Sequence, residues 1–235
     1  MGRLYALADL HLSLTGQKPM DVFGEVWRDH PRRMAEAWDA RVAPDDTVLL
    51  AGDLSWGRSL AEAAPDLAWI GARPGCKLLL RGNHDGWWGS PAKVRTALPP
   101  GCEILQNDAH RAGAWVVVGA RGWLAPDDPY AGPHDPDVFR RELERLRLSI
   151  VDADRRFGRE APRVAMTHFP PWLEGRAPTE VVGLLERAEV RWCVYGHLHG
   201  DDHRLAVRGR RGTIEYVFVA ADAVDFTPQL LPLDG

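Results

Sequence analysis

Six short apolar runs recur along the chain, at residues 3–8, 46–51, 76–80, 114–119, 163–167 and 191–195. They are rich in Leu, Val and Ala and too short for helices, so they read as strands buried on both faces. Helical patterns lie between them. Pro31 suits a first helical turn, and Met34, Trp38 and Val42 follow at a spacing of four. Ser59 with Glu62 has capping-box spacing, and Ser90-Pro91 reads as an N-cap followed by the first helical residue. The clearest helix follows Asp137. There Phe139, Leu143, Leu146, Ile150, Ala153 and Phe157 step alternately by four and three and form one apolar stripe. The opposite face, dense in Arg and Glu, reads as solvated surface. Beyond residue 200, segments 203–208 and 213–220 flank Gly209-Arg-Arg-Gly212 and predict a hairpin. Strands alternating with helices, closed by a hairpin, predict an α/β domain with a mixed sheet or two stacked sheets.

Composition sharpens this picture. The chain has 235 residues, 45% hydrophobic and 26% charged, which excludes a disordered or fibrous class. No repeat, low-complexity tract or linker-like shift divides it, so one domain over 1–235 is expected. Residues 125–136 hold four prolines and three aspartates with little to bury, and read as a long surface loop or lid. The net charge of −4 disfavours blanket binding of nucleic-acid phosphates, so no extended duplex is expected as a partner. Cys76, Cys102 and Cys193 form no metal or redox pattern and suit a reducing compartment. The opening residues lack a leader-like apolar stretch and no run is long enough to span a bilayer. A cytoplasmic protein with no membrane partner is expected.

Five polar motifs end or closely follow strands: Asp9-Leu-His11, Gly52-Asp53, Gly82-Asn83-His84-Asp85, Thr167-His168 and Gly196-His197-Leu198-His199. Residues two apart on an extended segment share a side, so Asp9 and His11 converge. The carboxyl edge of a sheet is where open α/β folds place their sites. Setting His84 aside, the motifs supply two Asp, one Asn and four His. Oxygen and nitrogen donors without thiolate suit Mn, Fe or Zn. Seven donors exceed the needs of one tetrahedral ion. Two ions sharing a bridging carboxylate would use them all and form the clamp that suits phosphoryl displacement. Singly, each motif has a plainer reading: Gly-Asp is usually a turn, and a lone histidine usually a packed one. Their joint occurrence carries the inference. Of the other histidines, His30, His110, His134 and His203 read as ordinary surface or loop residues.

In this order the motifs DLH, GDL, GNHD, THF and GHLH resemble the five signature blocks of the calcineurin-like metallophosphoesterases, over residues 9 to 199. The resemblance implies a four-layer α/β/β/α sandwich of two mixed β-sheets flanked by helices. It also implies two divalent transition-metal ions, Mn²⁺ first, with Fe or Zn as alternatives. By matching position, Asp9, His11 and His199 would hold the first metal and Asn83, His168 and His197 the second, with Asp53 bridging. His84 would face the scissile phosphate as proton donor or transition-state stabiliser. A metal-bridging hydroxide would then cleave a phosphate mono- or diester. The stretches GDLSWGR and GNHDGWW depart from the protein Ser/Thr phosphatase pattern, which removes the acidic partner of the catalytic histidine; Asp85 is the residue that could replace it.

Trp56, Trp87, Trp88 and Trp172 follow ligand motifs closely, and Trp123 follows Arg121-Gly122. They read either as packing or as an aromatic wall for a substrate ring. Arg121 reads either as a phosphate fork or as half of an ion pair. A small phosphorylated substrate, which could be a nucleotide, is the expected partner. A nuclease of the same chemistry and an inactive interaction module on the same fold are the alternatives.

Overall fold

The computed structural model describes residues 2–16, 18–128 and 130–232. Two mixed sheets form its centre. One has five strands: β1 (Leu4–Leu7), β2 (Thr47–Leu50), β3 (Cys76–Leu79), β4 (Cys102–Ile104) and β11 (Gln229–Leu230), in the order β11-β1-β2-β3-β4. The other has six: β5 (His110–Ala112), β6 (Trp115–Ala120), β7 (Arg163–Thr167), β8 (Val190–Tyr195), β9 (Gly209–Arg211) and β10 (Ile214–Phe218), in the order β5-β6-β7-β8-β10-β9. The inner strands pair in parallel, and the antiparallel pairs lie at the edges, at β1–β11, β5–β6 and β9–β10.

The period-two rule sorts each strand between two cores. Tyr5, Leu7, Val48 and Leu50 pack outward with Met34 and Trp38 of α1 (His30–Arg41) and Leu67 and Ile70 of α2 (Leu60–Ala72). The short α3 (Pro91–Ala97) adds Val94 to this layer. On the other face Leu4, Ala6, Leu49 and Ala51 meet Val117, Val164, Met166 and Val194 of the second sheet. Val116, Val118 and Ala120 turn to α4 (Asp135–Phe157) and α5 (Glu180–Arg187). The layers are therefore α/β/β/α, as the resemblance implies.

The six expected strands form, with ends differing by at most one residue. The expected stripe of α4 faces the sheet, with Phe139, Leu146 and Ala153 fully buried. This helix begins two residues before Asp137, so Asp135 and Pro136 belong to it rather than to the loop. The Ser59 hydroxyl accepts from the Glu62 N–H, but the Glu62 carboxylate takes the N–H of Arg58 instead of completing the box. The expected hairpin is corrected. Residues 200–205 form a 3₁₀ helix, and Gly209–Arg211, read as a turn, is the first strand; Gly212-Thr213 makes the turn. This strand is polar and exposed, so it carries no alternation to read. No helix among the described residues is long and apolar enough to cross a membrane.

Candidate functional site

The five motifs meet at the carboxyl ends of β1, β2, β3, β7 and β8. Past the strand ends the backbone keeps pairing: the Asp9 N–H donates to Gly52 O (2.9 Å), that of His11 to Asp53 O (2.9 Å) and that of Gly196 to His168 O (3.1 Å). Asp9, His11, Asp53 and His197 all take positive φ, between 45° and 76°. Non-glycine residues seldom do so, and the strain turns their side chains from the strand direction into one cluster. Close approach also dictates the motif glycines. A Cβ on Gly82 would stand 2.0 Å from Asp53 Oδ1, and one on Gly196 2.0 Å from Asp9 Oδ2.

The donor atoms lie close together. His11 Nε2 lies 3.2 Å from His199 Nε2, and His199 Nε2 lies 3.5 Å from Asp9 Oδ1. Around Asp53 Oδ2 stand His168 Nε2 at 3.4 Å and His11 Nε2 at 3.8 Å. Asn83 Oδ1 lies 2.7 Å from His168 Nε2 and 3.0 Å from His197 Nδ1. The ligand atoms of Asp9, His11 and His199 all lie within 4.8 Å of one another, as do those of Asp9, Asp53 and His168.

Chemically, this arrangement suits a cation. Asp9 Oδ1 and Asp53 Oδ2 are buried with no hydrogen-bond partner, an arrangement that costs free energy unless a positive charge compensates it. His168 donates Nδ1–H to Ala51 O (2.9 Å), which aims the other nitrogen at two acceptor oxygens. The protonation pattern reports the same field. Burial opposes a proton on His168, yet the Asp53 and Asp9 charges push the ring up to about 9. His199, likewise opposed by burial, is pushed up to about 10 by Asp222 and Asp9. His11 and His197, where burial dominates, are held well below the ordinary histidine value. Burial works to raise the Asp53 carboxyl, and the surrounding imidazoles overcome it and keep it low. Two buried carboxylates and converging imidazole nitrogens, which give a lone pair once deprotonated, fit one or more divalent metal ions.

Asp222 escaped the sequence reading. Its carboxylate accepts from His199 Nδ1 (2.9 Å) and Gly200 N (3.2 Å), and His203 Nε2 lies 3.0 Å away. Such a carboxylate fixes which nitrogen a ligating histidine presents. His203 therefore has a place behind the cluster, and His30, expected at the surface, is buried with Nδ1 3.0 Å from Trp27 O. Trp27 in turn packs edge-on against His11 and His199.

His84 holds the cluster through its backbone, whose N–H donates to Asp53 Oδ1 (2.7 Å). Its ring is exposed and leans on Trp56, centroids 4.5 Å apart. Asp85 does not partner that ring, which corrects the expectation. Its fully buried carboxylate accepts five N–H groups, from Asp53, Leu54, Ser55, Gly82 and the Trp87 indole, at 2.7–3.1 Å. Burial and the Asp53 charge raise it to about 6, against those donors. Asp85 is thus the brace joining the second motif to the third.

The tryptophans divide. Trp87 and Trp88 are core residues, while Trp56 stacks on His11 (4.9 Å, 19°). Trp123, Phe169 and Trp172 line a cavity of about 220 Å³ that reaches His197 and includes Asp127, Asp128 and Tyr130 of the expected loop. The Phe169 ring lies between Trp123 (4.7 Å) and His197 (3.9 Å), tilted to both. The Arg121 guanidinium is engaged elsewhere, with Glu142 at 3.1 Å and over the Trp123 ring.

The comparisons with known proteins bear on family and fold. Residues 2–201 match the calcineurin-like phosphoesterase family, and the chain belongs to it. A probable cyclic nucleotide phosphodiesterase of a Synechococcus strain is 26% identical, over 96% of this chain and 82% of its own length. Gene 66 proteins of Mycobacterium phages L5 and D29 are 36% and 44% identical, over 37% and 36% of this chain. The chain spans about two-fifths of each phage protein, 41% of its length. In fold, a protein of unknown function from Aquifex aeolicus superposes with a TM-score of 0.53, covering 98% of this chain and 96% of its own at 15% identity. A protein from Thermus thermophilus gives 0.52 over 85% and 83%, also at 15% identity.

Proposed function

We propose that this protein is a dinuclear-metal-dependent phosphohydrolase of small phosphate esters. Asp9, His11 and His199 would hold one ion, Asn83, His168 and His197 the other, and Asp53 would serve both. The observation that carries the reading is the pair of buried, unpartnered oxygens, Asp9 Oδ1 and Asp53 Oδ2, set among imidazole nitrogens. When bound, such an ion pair would supply positive charge at the phosphate and a water made far more acidic than in bulk. The chain's own residues do the rest. Asp222 and the Ala51 carbonyl orient His199 and His168, Asp85 and the Asp53–His84 backbone bond fix the loops, and His84 stands exposed beside the cluster to meet the leaving oxygen. Preorganised charge, rather than a covalent intermediate, accounts for the rate enhancement.

The test is an Mn²⁺-supplemented assay with p-nitrophenyl phosphate and bis(p-nitrophenyl) phosphate, an Asp53→Ala control and elemental analysis of the loaded protein. Hydrolysis of either ester with close to two metal equivalents supports the reading. A stable value of one or less in folded protein sinks the dinuclear assignment, and absence of hydrolysis sinks the activity.

A further inference from the structure

Opposite in character to the aromatic cavity, a second and larger one opens on the His84 flank of the cluster. It encloses about 560 Å³ and is lined by Asn83, His84, Trp56, Lys18, Arg58 and Glu62. Lys18 is built into it. Its backbone N–H donates to Ser13 Oγ (2.9 Å), and its ammonium rests 3.3 Å from the centre of the Trp56 ring, whose stacking partner is His11. Lysine, indole and imidazole thus form a column ending on a ligand-type histidine, and the cation–π contact keeps the ammonium in place without neutralising it. Among the described residues no carboxylate pairs with the Lys18 ammonium or the Arg58 guanidinium. Glu62, the one acid in the lining, spends an oxygen on the Arg58 backbone N–H (3.0 Å).

The two flanks therefore differ in sign. The cavity at His197 carries Asp127, Asp128 and Asp202 against Arg176, beside the rings of Trp123, Tyr130, Phe169 and Trp172; the cavity at His84 carries Lys18 and Arg58 against Glu62. A field of this kind orients a charged substrate before chemistry begins. A ring is accepted at the acidic, aromatic flank, and an anionic group is drawn to the basic flank, where His84 meets the leaving group. Resting on the phosphohydrolase reading above, we infer that Lys18 and Arg58 bind a second phosphate carried by the leaving group, so that the substrate class is a nucleotide joined through a phosphoanhydride.

The reaction is a hydrolysis without redox change. The water oxygen bonds to the phosphorus nearer the nucleoside, and the anhydride P–O bond breaks with its electron pair on the leaving oxygen. Two phosphate monoesters form, and the two water protons pass to them or to solvent. A phosphate leaves with its own charge, which is what the unpaired ammonium and guanidinium would stabilise as it develops.

The experiment compares ADP-ribose, whose leaving group is a phosphate, with thymidine 5′-(p-nitrophenyl phosphate), whose leaving group has none. Both are assayed with the Mn²⁺-loaded wild type, Lys18→Met, Lys18→Met with Arg58→Met, and Lys18→Arg. Methionine keeps the stem on Trp56 and removes only the charge. The expected result is a fall of roughly 10–100-fold in the ratio of kcat/KM values, ADP-ribose over the aryl diester, in the methionine variants, the size of one charge-assisted hydrogen bond. Lys18→Arg should restore the ratio. The loss should also shrink as ionic strength rises, which a packing defect would not do. An unchanged ratio, with both substrates still cleaved, overturns the inference alone. Cleavage of neither substrate by the wild type overturns the phosphohydrolase reading and this inference together.

Discussion

Loading metal into this site should expel protons, and the histidines that lose them differ from those that do not. In the metal-free protein His168 and His199 are pushed up to about 9 and about 10 by the carboxylates around them, so both rings are charged at pH 7. His11 and His197 are held well below the ordinary value and are neutral there, and Asp53 is ionised. A metal accepts only neutral imidazole. Filling the whole site at pH 7 should therefore release about two protons, one from each proposed half of the cluster. Apparent affinity should rise about tenfold per pH unit for each ion between roughly pH 6.5 and 9. Stability of the metal-free fold runs the other way. A histidine whose pKa is raised on folding stabilises fully below its unfolded value near 6.5, and that contribution disappears as pH climbs through about 9 to 10. The measurement is calorimetric titration of chelator-stripped protein with Mn²⁺ at pH 7, in two buffers of different ionisation enthalpy. Heats independent of the buffer would mean that no proton leaves, and the reasoning that protons stand in for metal charge would be refuted.

Four further outcomes are expected. Asp53→Ala should lose metal and activity together, whereas His84→Ala should keep its metal and lose turnover about 10²–10⁴-fold; elemental analysis beside kinetics separates them, and loss of metal in His84→Ala would contradict its role. Asp222→Asn should weaken metal binding about 10–100-fold, the usual effect of an outer hydrogen-bond partner, with the circular dichroism spectrum unchanged. Gly196→Ala should fold but bind metal poorly, because its Cβ would meet Asp9 Oδ2 at 2.0 Å; wild-type metal content would show that the loop yields freely. Trp123→Ala should cost ~1–3 kcal/mol in kcat/KM on a base-containing substrate, the size of a lost stacking contact, and less than about tenfold on a small aryl ester; equal losses on both would leave Trp123 as scaffold.

What the sequence discloses about this site follows from contrast. Asp9-Leu-His11 and Gly196-His197-Leu198-His199 stand out because polar ligand types end apolar runs, and both place their donors in the cluster. Asp222 also ends an apolar run, 216–221, but as a lone acid between alanines with no histidine or asparagine beside it, and it reaches His199 through the 3₁₀ turn that follows β10. Lys18 is equally silent, since a lysine in a loop is ordinary until a tryptophan from another motif lies beneath it. Asp85 misleads for a related reason. Adjacency to His84 suggests partnership, yet neighbours in a tight loop point apart, and the buried one gathers backbone N–H groups instead. Among the strands, the edge pieces β4, β5 and β11 have two or three residues each, too few to show any period.

The motif glycines carry the deepest dependence between distant parts of the chain. Gly-Asp and Gly-His after a strand look like turn chemistry, a local matter. In the fold the clearance at Gly82 is occupied by Asp53, and that at Gly196 by Asp9. Each glycine thus makes room for a carboxylate supplied by another motif, across 29 and 187 positions of sequence. The carboxylates are then hydrogen-bonded by the residue that follows each cluster's glycine or lies just beyond it: Asp9 Oδ2 by the His197 N–H, Asp53 Oδ1 by the His84 N–H. One oxygen of each carboxylate is fixed by backbone and the other is left free to face the imidazoles. A single motif therefore means little, because its glycine has no purpose without the partner's acid. Five together specify one another, and that mutual requirement is why the set, and not any member, identifies the site.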